Sequence, residues 1–211
     1  MIAAPEPSPE RDAAIRAMLP NVPLDGWTVR ALAAGLVTLH EPPELWRNLF
    51  PNGPVDMFEA WCDLADREMK AAAAGPDGLG EGLGLAARVR VLVVLRFRQL
   101  RPHREAMRRG LSLLAGAGRL PALAHITART VDSIWHTAGE RATDFTWYTK
   151  RASLAAVYSA TLLYWLADES EDEEATLAFF DRRLAGLAAF GRVRRGLSGA
   201  FPCLPRFRRS A

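Results

Sequence analysis

The feature that most constrains this chain is a helical stretch near its end that carries no charge. Between Ala152 and Ala167 there is no Asp, Glu, Lys or Arg. Four side chains recur there at helical spacing, at Leu154, Tyr158, Thr161 and Trp165. The stretch is shorter than the roughly 20 residues that a helix needs to cross a bilayer. We therefore predict a buried helix in the core of a soluble protein.

A second line of the same helix carries small side chains, among them Ala152, Ala156 and Ala160. Small residues let another helix approach closely. We expect this line to form a seam within a helical bundle or between two copies of the chain, with the last long helix as its neighbour.

Charge is divided unevenly along the sequence. Residues 1–87 contain 6 Lys and Arg against 13 Asp and Glu, whereas residues 88–211 contain 21 against 11.

The two cysteines, Cys62 and Cys203, lie far apart without a CxxC pair, which excludes a disulfide framework and a Cys-rich zinc site. The first residues have the pattern of neither a secretory signal nor a transit peptide. We expect a bacterial cytoplasmic protein, or one that has already been processed.

Helical periodicity recurs along the chain and strand-like alternation does not, so we predict an all-α fold. Helices are expected at about 9–19, 25–36, 43–50, 55–74, 85–100, 101–114, 120–138 and 144–170, with another long one to about 195. Ser170 and Glu173 have the spacing of a capping box for that last helix. The predicted divisions are a front region at 1–52, a bundle at 53–195 and a basic, aromatic tail at 196–211.

The first three helices occupy the place of a helix-turn-helix domain, but their charges argue against DNA binding. Between residues 24 and 50 there are two cations, Arg30 and Arg47, and three acids. Two of those acids, Glu41 and Glu44, lie where a recognition helix would make phosphate contacts. We therefore expect no nucleic-acid partner.

No catalytic constellation is evident. The sequence has no GxSxG, P-loop or GxGxxG motif, and Ser153 and Ser159 have no His partner at helical spacing. His136 and Glu140 could face one metal ion from a helix, but two ligands on a solvated face are weak support for a site. We expect a protein that is not an enzyme and holds no cofactor or metal.

The helix that contains the uncharged stretch begins with two aromatic and two basic residues, namely Trp147, Tyr148, Lys150 and Arg151. On one interpretation Trp147 is core and Arg151 stacks on it. On the other, they form a partner-binding surface, since aromatic residues and Arg are enriched at interface hot spots. In the tail, basic and aromatic residues alternate, at Phe201, Arg206, Phe207, Arg208 and Arg209. That composition suits either a solvated end or contact with an anionic membrane.

Several segments together resemble one family. WYTKRASL and VYSATLLYWLADES at 147–170, followed by ATLAFFDRRL at 175–184, look like the signature of the ninth coenzyme Q (ubiquinone) biosynthesis protein family. VPLDGW at 22–27, FPNGPVD at 50–56 and DSIW at 132–135 extend the resemblance over most of the chain in the expected order.

The resemblance implies a TetR-like helical bundle of about nine helices with a degenerate N-terminal helix-turn-helix. It also implies a homodimer and a non-catalytic accessory that binds isoprenoid quinone precursors and presents them to the demethoxyubiquinone hydroxylase. The matching WYTKR turn would meet the hydroxylase. A C-terminal amphipathic helix would contact membranes peripherally, although Pro202 and Pro205 would break such a helix here. The expected cavity residues are Ile126, Ile134, Leu154, Val157, Tyr158, Leu162 and Trp165. The alternative function is a ligand-responsive transcription regulator of the same fold.

Overall fold

The computed structural model describes residues 6–76, 78–116, 118–140, 145–170 and 173–198. Its α-helices are α1 (Pro9–Met18), α2 (Val22–Asp25), α3 (Val29–Thr38), α4 (Trp46–Leu49), α5 (Pro54–Ala73), α6 (Leu85–Leu100), α7 (Arg104–Leu114), α8 (Leu120–Thr137), α9 (Phe145–Ala167) and α10 (Glu174–Ser198). Short 3-10 turns precede α2, α4 and α7. α2 and α4 are single turns, and no strand occurs in the described ranges. The predicted all-α fold is confirmed.

The front helices begin where their caps allow. Ser8 caps α1 by accepting a hydrogen bond from the backbone of Arg11 at 3.3 Å. The second long helix was expected from Asp25, but that prediction is wrong by one turn. Gly26 has a φ of 71°, which interrupts the helix, and Thr28 caps α3 instead. α1 and α3 then cross so closely that a Cβ on Gly35 would clash with the backbone of Ala17.

The front helices share one hydrophobic core with the rest of the described chain. The indole of Trp27 packs on Phe58 and Trp61 of α5, with ring centroids 5.3 and 5.4 Å apart. Its N–H donates to the backbone carbonyl of Ala106 in α7 at 2.9 Å. The parts of the chain on either side of the predicted boundary at residue 52 therefore pack against each other in one core.

Behind the front helices, α5 packs against α6 and α8, and α9 lies between α8 and α10. The uncharged line of α9 faces inward, since Leu154, Tyr158, Thr161 and Trp165 are all buried. The predicted burial of this helix line is confirmed. Trp147 and Arg151, at its start, are only half-buried.

The corner between α9 and α10 is held by polar contacts from buried groups. The Trp165 indole donates to the Glu173 carboxylate at 2.6 Å, and Glu173 takes a φ of 57°. The Asp168 carboxylate accepts from the backbone N–H of Thr176 at 3.0 Å and of Ser170 at 3.0 Å. The predicted capping box is therefore wrong. The Asp168 carboxylate, not Ser170, accepts a hydrogen bond from a free backbone N–H in the first turn of α10, and the helix begins at Glu174.

Candidate functional site

All seven expected cavity residues are buried, with exposed fractions between 0% for Ile134 and 9% for Leu162. Three of them, Ile126, Tyr158 and Leu162, line an interior chamber. The chamber holds about 20 Å³, which is room for about one water molecule. The other four, Ile134, Leu154, Val157 and Trp165, pack in the core away from its lining. A lipid head group would therefore need the chamber to widen.

Helices α5, α6, α7, α8 and α9 supply the walls of this chamber. The wall is largely apolar, with Phe58, Met107, Leu111 and Leu123 beside Tyr158 and Leu162. Leu111 and Leu123 are partly exposed, so the chamber lies close to the surface where α7 meets α8. We call it the inner chamber below.

A charged group lies in the wall of the inner chamber. Arg96 of α6 is 1% exposed and its guanidinium lies 3.2 Å from the Asp66 carboxylate of α5. The sequence offered a signal for Arg96, since it interrupts the apolar run VLVVLRF at 91–97, but nothing in the sequence connects it to Asp66. Sequence reasoning missed both residues.

Hydrogen bonds hold both members of this ion pair in place, and burial shifts the pKa values of the groups around it. The Thr130 hydroxyl donates to Asp66 at 3.0 Å, and one Arg96 nitrogen donates to the carbonyl of Cys62 at 3.2 Å. Burial raises the pKa of Asp66 although Arg96 and Arg129 oppose it. Burial also raises the pKa of the Cys62 thiol to about 12, so it is protonated and a poor nucleophile at neutral pH.

The aromatic and basic residues that open α9 form a surface patch, here called the aromatic patch: Trp147, Tyr148, Lys150 and Arg151. Tyr148 is 68% exposed, and its ring meets that of Trp147 edge-on with centroids 4.7 Å apart. The Arg151 guanidinium carbon lies 3.7 Å from the Trp147 ring centroid. Both interpretations of the sequence thus describe part of the geometry, because Trp147 carries the cation–π contact while Tyr148 faces solvent.

Ion pairs to α8 and its end fix the two cations of the aromatic patch. Arg151 contacts Asp132 at 2.7 Å, and Lys150 contacts Glu140 at 2.6 Å. Glu140 is thereby engaged by an ammonium group, which makes it a poor metal ligand beside His136. Within the described ranges, no three His, Cys, Asp or Glu side chains cluster as a metal site would require.

A shallow groove of about 440 Å³ runs beside the aromatic patch, between α8 and α9. Its floor is mostly apolar and includes Ala128, Val131, Ala152 and Ala155, while Trp147 and Arg151 form one side. The groove is open to solvent.

The expected dimer seam lies on the outer side of α9. Ala152 and Ala156 are exposed and Ala160 is half-buried. Further along, Leu163 is 63% exposed and Tyr164 stacks on Phe179 of α10 with centroids 4.6 Å apart. The five expected membrane-contact residues, Phe201, Arg206, Phe207, Arg208 and Arg209, lie outside the described residues.

The fold resembles that of a solved transcription regulator. The crystal structure of a TetR transcriptional regulator from Nitrosomonas europaea superposes with a TM-score of 0.66, covering 86% of this chain and 99% of that one. The sequences are 21% identical, so the likeness establishes a TetR-like fold and nothing about function. None of the described helices is long and apolar enough to span a bilayer.

The sequence comparisons point to one family. The COQ9 family model matches residues 120–191. The ubiquinone biosynthesis protein COQ9, mitochondrial, of Homo sapiens is 32% identical over 177 residues, which cover 81% of this chain and 55% of that protein. The protein of the same name from Bos taurus is 30% identical over 185 residues, covering 84% and 57%. The resemblance to the COQ9 family that the signature of α9 and α10 predicted is confirmed by these matches. It spans about half the length of the curated relatives it matches.

Proposed function

We propose that this chain is a non-catalytic accessory protein of ubiquinone biosynthesis, which binds isoprenoid quinone precursors and presents them to the demethoxyubiquinone hydroxylase. One observation carries the proposal. Helix α9 bears the aromatic patch at its start, with Tyr148 68% exposed, and two residues of the inner chamber further along, Tyr158 and Leu162. One rigid element would thus connect a lipid site to a docking surface.

The names of the relatives support the pathway, because each is called a ubiquinone biosynthesis protein. The properties of the lipid define what such a carrier requires. A polyprenyl quinone is nearly insoluble in water, so a carrier needs an apolar site and a surface that recognises the enzyme. Exposed Tyr148 beside Trp147 and Arg151 has the composition of an interface hot spot.

Two further features belong to the same proposal. The small residues of α9, with Leu163 and Tyr164, would form a homodimer interface with α10. The basic, aromatic tail at 196–211 would hold the protein peripherally at an anionic membrane. Neither feature is needed for the lipid site itself.

Mass spectrometry of lipids extracted from the protein purified without detergent tests the proposal. We expect an isoprenoid quinone or its precursor in the extract of the wild-type protein and less of it from a Tyr158→Trp variant, whose larger ring fills the inner chamber. A Leu24→Trp variant is the control, because Leu24 is 86% exposed and is not among the residues that line the chamber. Recovery of phospholipid alone, or of equal quinone from both variants, would contradict the lipid assignment.

The fold likeness favours one alternative, a ligand-responsive transcription regulator. The front surface argues against it, because Glu41 and Glu44 are both exposed where a recognition helix would approach phosphates. We therefore keep the accessory function as the conclusion.

A further inference from the structure

The inner chamber contains hydrogen-bond donors without acceptors. Arg96 is 1% exposed, and its Nε and Nη1 groups have no partner at full hydrogen-bond geometry in the described structure, although the Tyr158 side chain lies close enough to interact with the guanidinium. Its remaining Nη2 group donates to the Cys62 carbonyl and approaches Asp66. A buried polar group without a partner destabilises the fold, and more strongly when it is charged. Such a group calls for an explanation.

The ion pair with Asp66 does not explain these free donors. One Asp66 oxygen already accepts from Thr130 at 3.0 Å, and the other lies 3.2 Å from Arg96 Nη2 without hydrogen-bond geometry. A guanidinium has five N–H donors and no acceptor, so two of its nitrogens still lack an oxygen atom. Arg96 and Tyr158 both line the inner chamber, where such an oxygen would lie.

The rest of the wall is mostly apolar, with Thr127 and Thr130 as its other polar residues. Phe58, Met107, Leu123 and Leu162 surround the same space, and the buried Cys62 thiol is a weak donor. A ligand that fits this wall has a flat, mostly apolar body and oxygen atoms that accept hydrogen bonds without donating any. The carbonyl and methoxy oxygens of a quinone ring have this character, whereas a hydrocarbon tail does not.

We propose that Arg96 is the anchor for the oxygen substituents of the quinone ring, so that the ring enters the inner chamber and the isoprenoid tail leaves it between α7 and α8. This inference rests on the proposed function and specifies which part of the lipid the protein recognises. The partly exposed Leu111 and Leu123 cover the chamber on that side, and both must move to admit a ring into a space of about 20 Å³.

The high pKa of Cys62 fits this arrangement. Quinones react with thiolates by conjugate addition, in which the sulfur forms a bond to a ring carbon and the ring carbonyl takes up the proton. Burial holds Cys62 as a thiol, with a pKa of about 12, so a ring can lie beside it without forming an adduct.

The test compares two variants that differ in the guanidinium alone. Arg96→Met by itself would leave Asp66 buried without its partner, so the change is made in an Asp66→Asn background. Equilibrium binding is measured with a ubiquinone that has a short isoprenoid tail, and separately with the isoprenoid hydrocarbon of that tail. Circular dichroism and thermal unfolding establish that each variant is folded.

We expect Asp66→Asn to bind the ubiquinone at least as well as wild type, because Arg96 keeps its free donors. Arg96→Met with Asp66→Asn should bind it about tenfold or more weakly, the loss expected for charge-assisted hydrogen bonds, and should bind the hydrocarbon unchanged. Equal ubiquinone binding by the two variants would overturn the anchor while leaving lipid binding intact. If wild type binds neither probe, the lipid-binding function itself fails.

A measurement on the unaltered protein keeps the inference open to refutation if the double variant does not fold. The side-chain Nε–H resonance of Arg96, assigned by its absence in Arg96→Lys, should shift when the ubiquinone is added and stay in place with the hydrocarbon. If the ubiquinone binds but the chemical shift of the Arg96 Nε–H resonance does not change with either probe, the ring binds elsewhere.

Discussion

Truncation of the aromatic patch should separate partner binding from stability. Tyr148 is 68% exposed, and its ring meets that of Trp147 edge-on. An exposed aromatic pair of this kind contributes at most about 1 kcal/mol to folding. An interface hot spot, in contrast, loses about 2 kcal/mol or more of binding free energy on truncation, which is about thirtyfold in affinity. Tyr148→Ala should therefore weaken hydroxylase binding about thirtyfold and leave the melting temperature nearly unchanged.

Trp165→Ala, on the same helix, should show the reverse pattern, with a large loss of stability. Trp165 is fully buried, and its indole donates to Glu173 at 2.6 Å. Removing a buried Trp costs about 3–5 kcal/mol, and the Glu173 carboxylate would lose a donor as well. Domains of this kind have only about 5–15 kcal/mol of total stability, so this variant should melt far earlier.

Trp147→Ala should lie between these two variants. It is half-buried and loses both the Tyr148 contact and the cation–π contact of Arg151, which together contribute about 1–2 kcal/mol. Calorimetric titration against the purified hydroxylase and thermal unfolding by circular dichroism give the two quantities. The reasoning is refuted if Tyr148→Ala melts as early as Trp165→Ala while its folded fraction binds the hydroxylase normally.

Three further outcomes are expected. Burial raises the pKa of Asp168, but hydrogen bonds from Ser170 and Thr176 lower it more, to about 2; the stability that it contributes should therefore be present above pH 3.8 and fall as the pH drops towards 2, and acid titrations of Asp168→Asn should lack this dependence. The acidic front region should give no salt-sensitive mobility shift with duplex DNA, and a shift mapping to α1–α4 would contradict that. Deleting residues 197–211 should reduce sedimentation with anionic liposomes without changing helicity, whereas equal sedimentation would leave the tail a solvated end.

The sequence was sufficient for the elements whose ends depend on local chemistry. Helix α5 was expected at about 55–74 and lies at Pro54–Ala73, and α8 was expected at about 120–138 and lies at Leu120–Thr137. The start of α10 could not be predicted in the same way. Ser170 and Glu173 have capping spacing, but Glu173 is taken by the Trp165 indole and Asp168 caps the helix instead. These contacts depend on how α9 and α10 meet in space.

Prediction of the candidate site was limited for a similar reason. Helical periodicity correctly predicted that Leu154, Tyr158 and Trp165 are buried, since inward lines on a helix are a property of the sequence. It could not tell a tightly packed core position from one that lines a chamber, because that depends on how several helices meet. Arg96 was visible as a cation in an apolar run, yet its free donors follow only from the position of Asp66.

The central claim is that the chain presents a membrane lipid to the hydroxylase. The direct measurement is the rate at which purified hydroxylase converts demethoxyubiquinone held in liposomes, with wild-type protein or with Tyr148→Ala added. We expect wild type to accelerate the reaction, and Tyr148→Ala to accelerate it far less although it still extracts the lipid. Equal acceleration by both proteins, or none by wild type, would contradict presentation of the lipid through Tyr148.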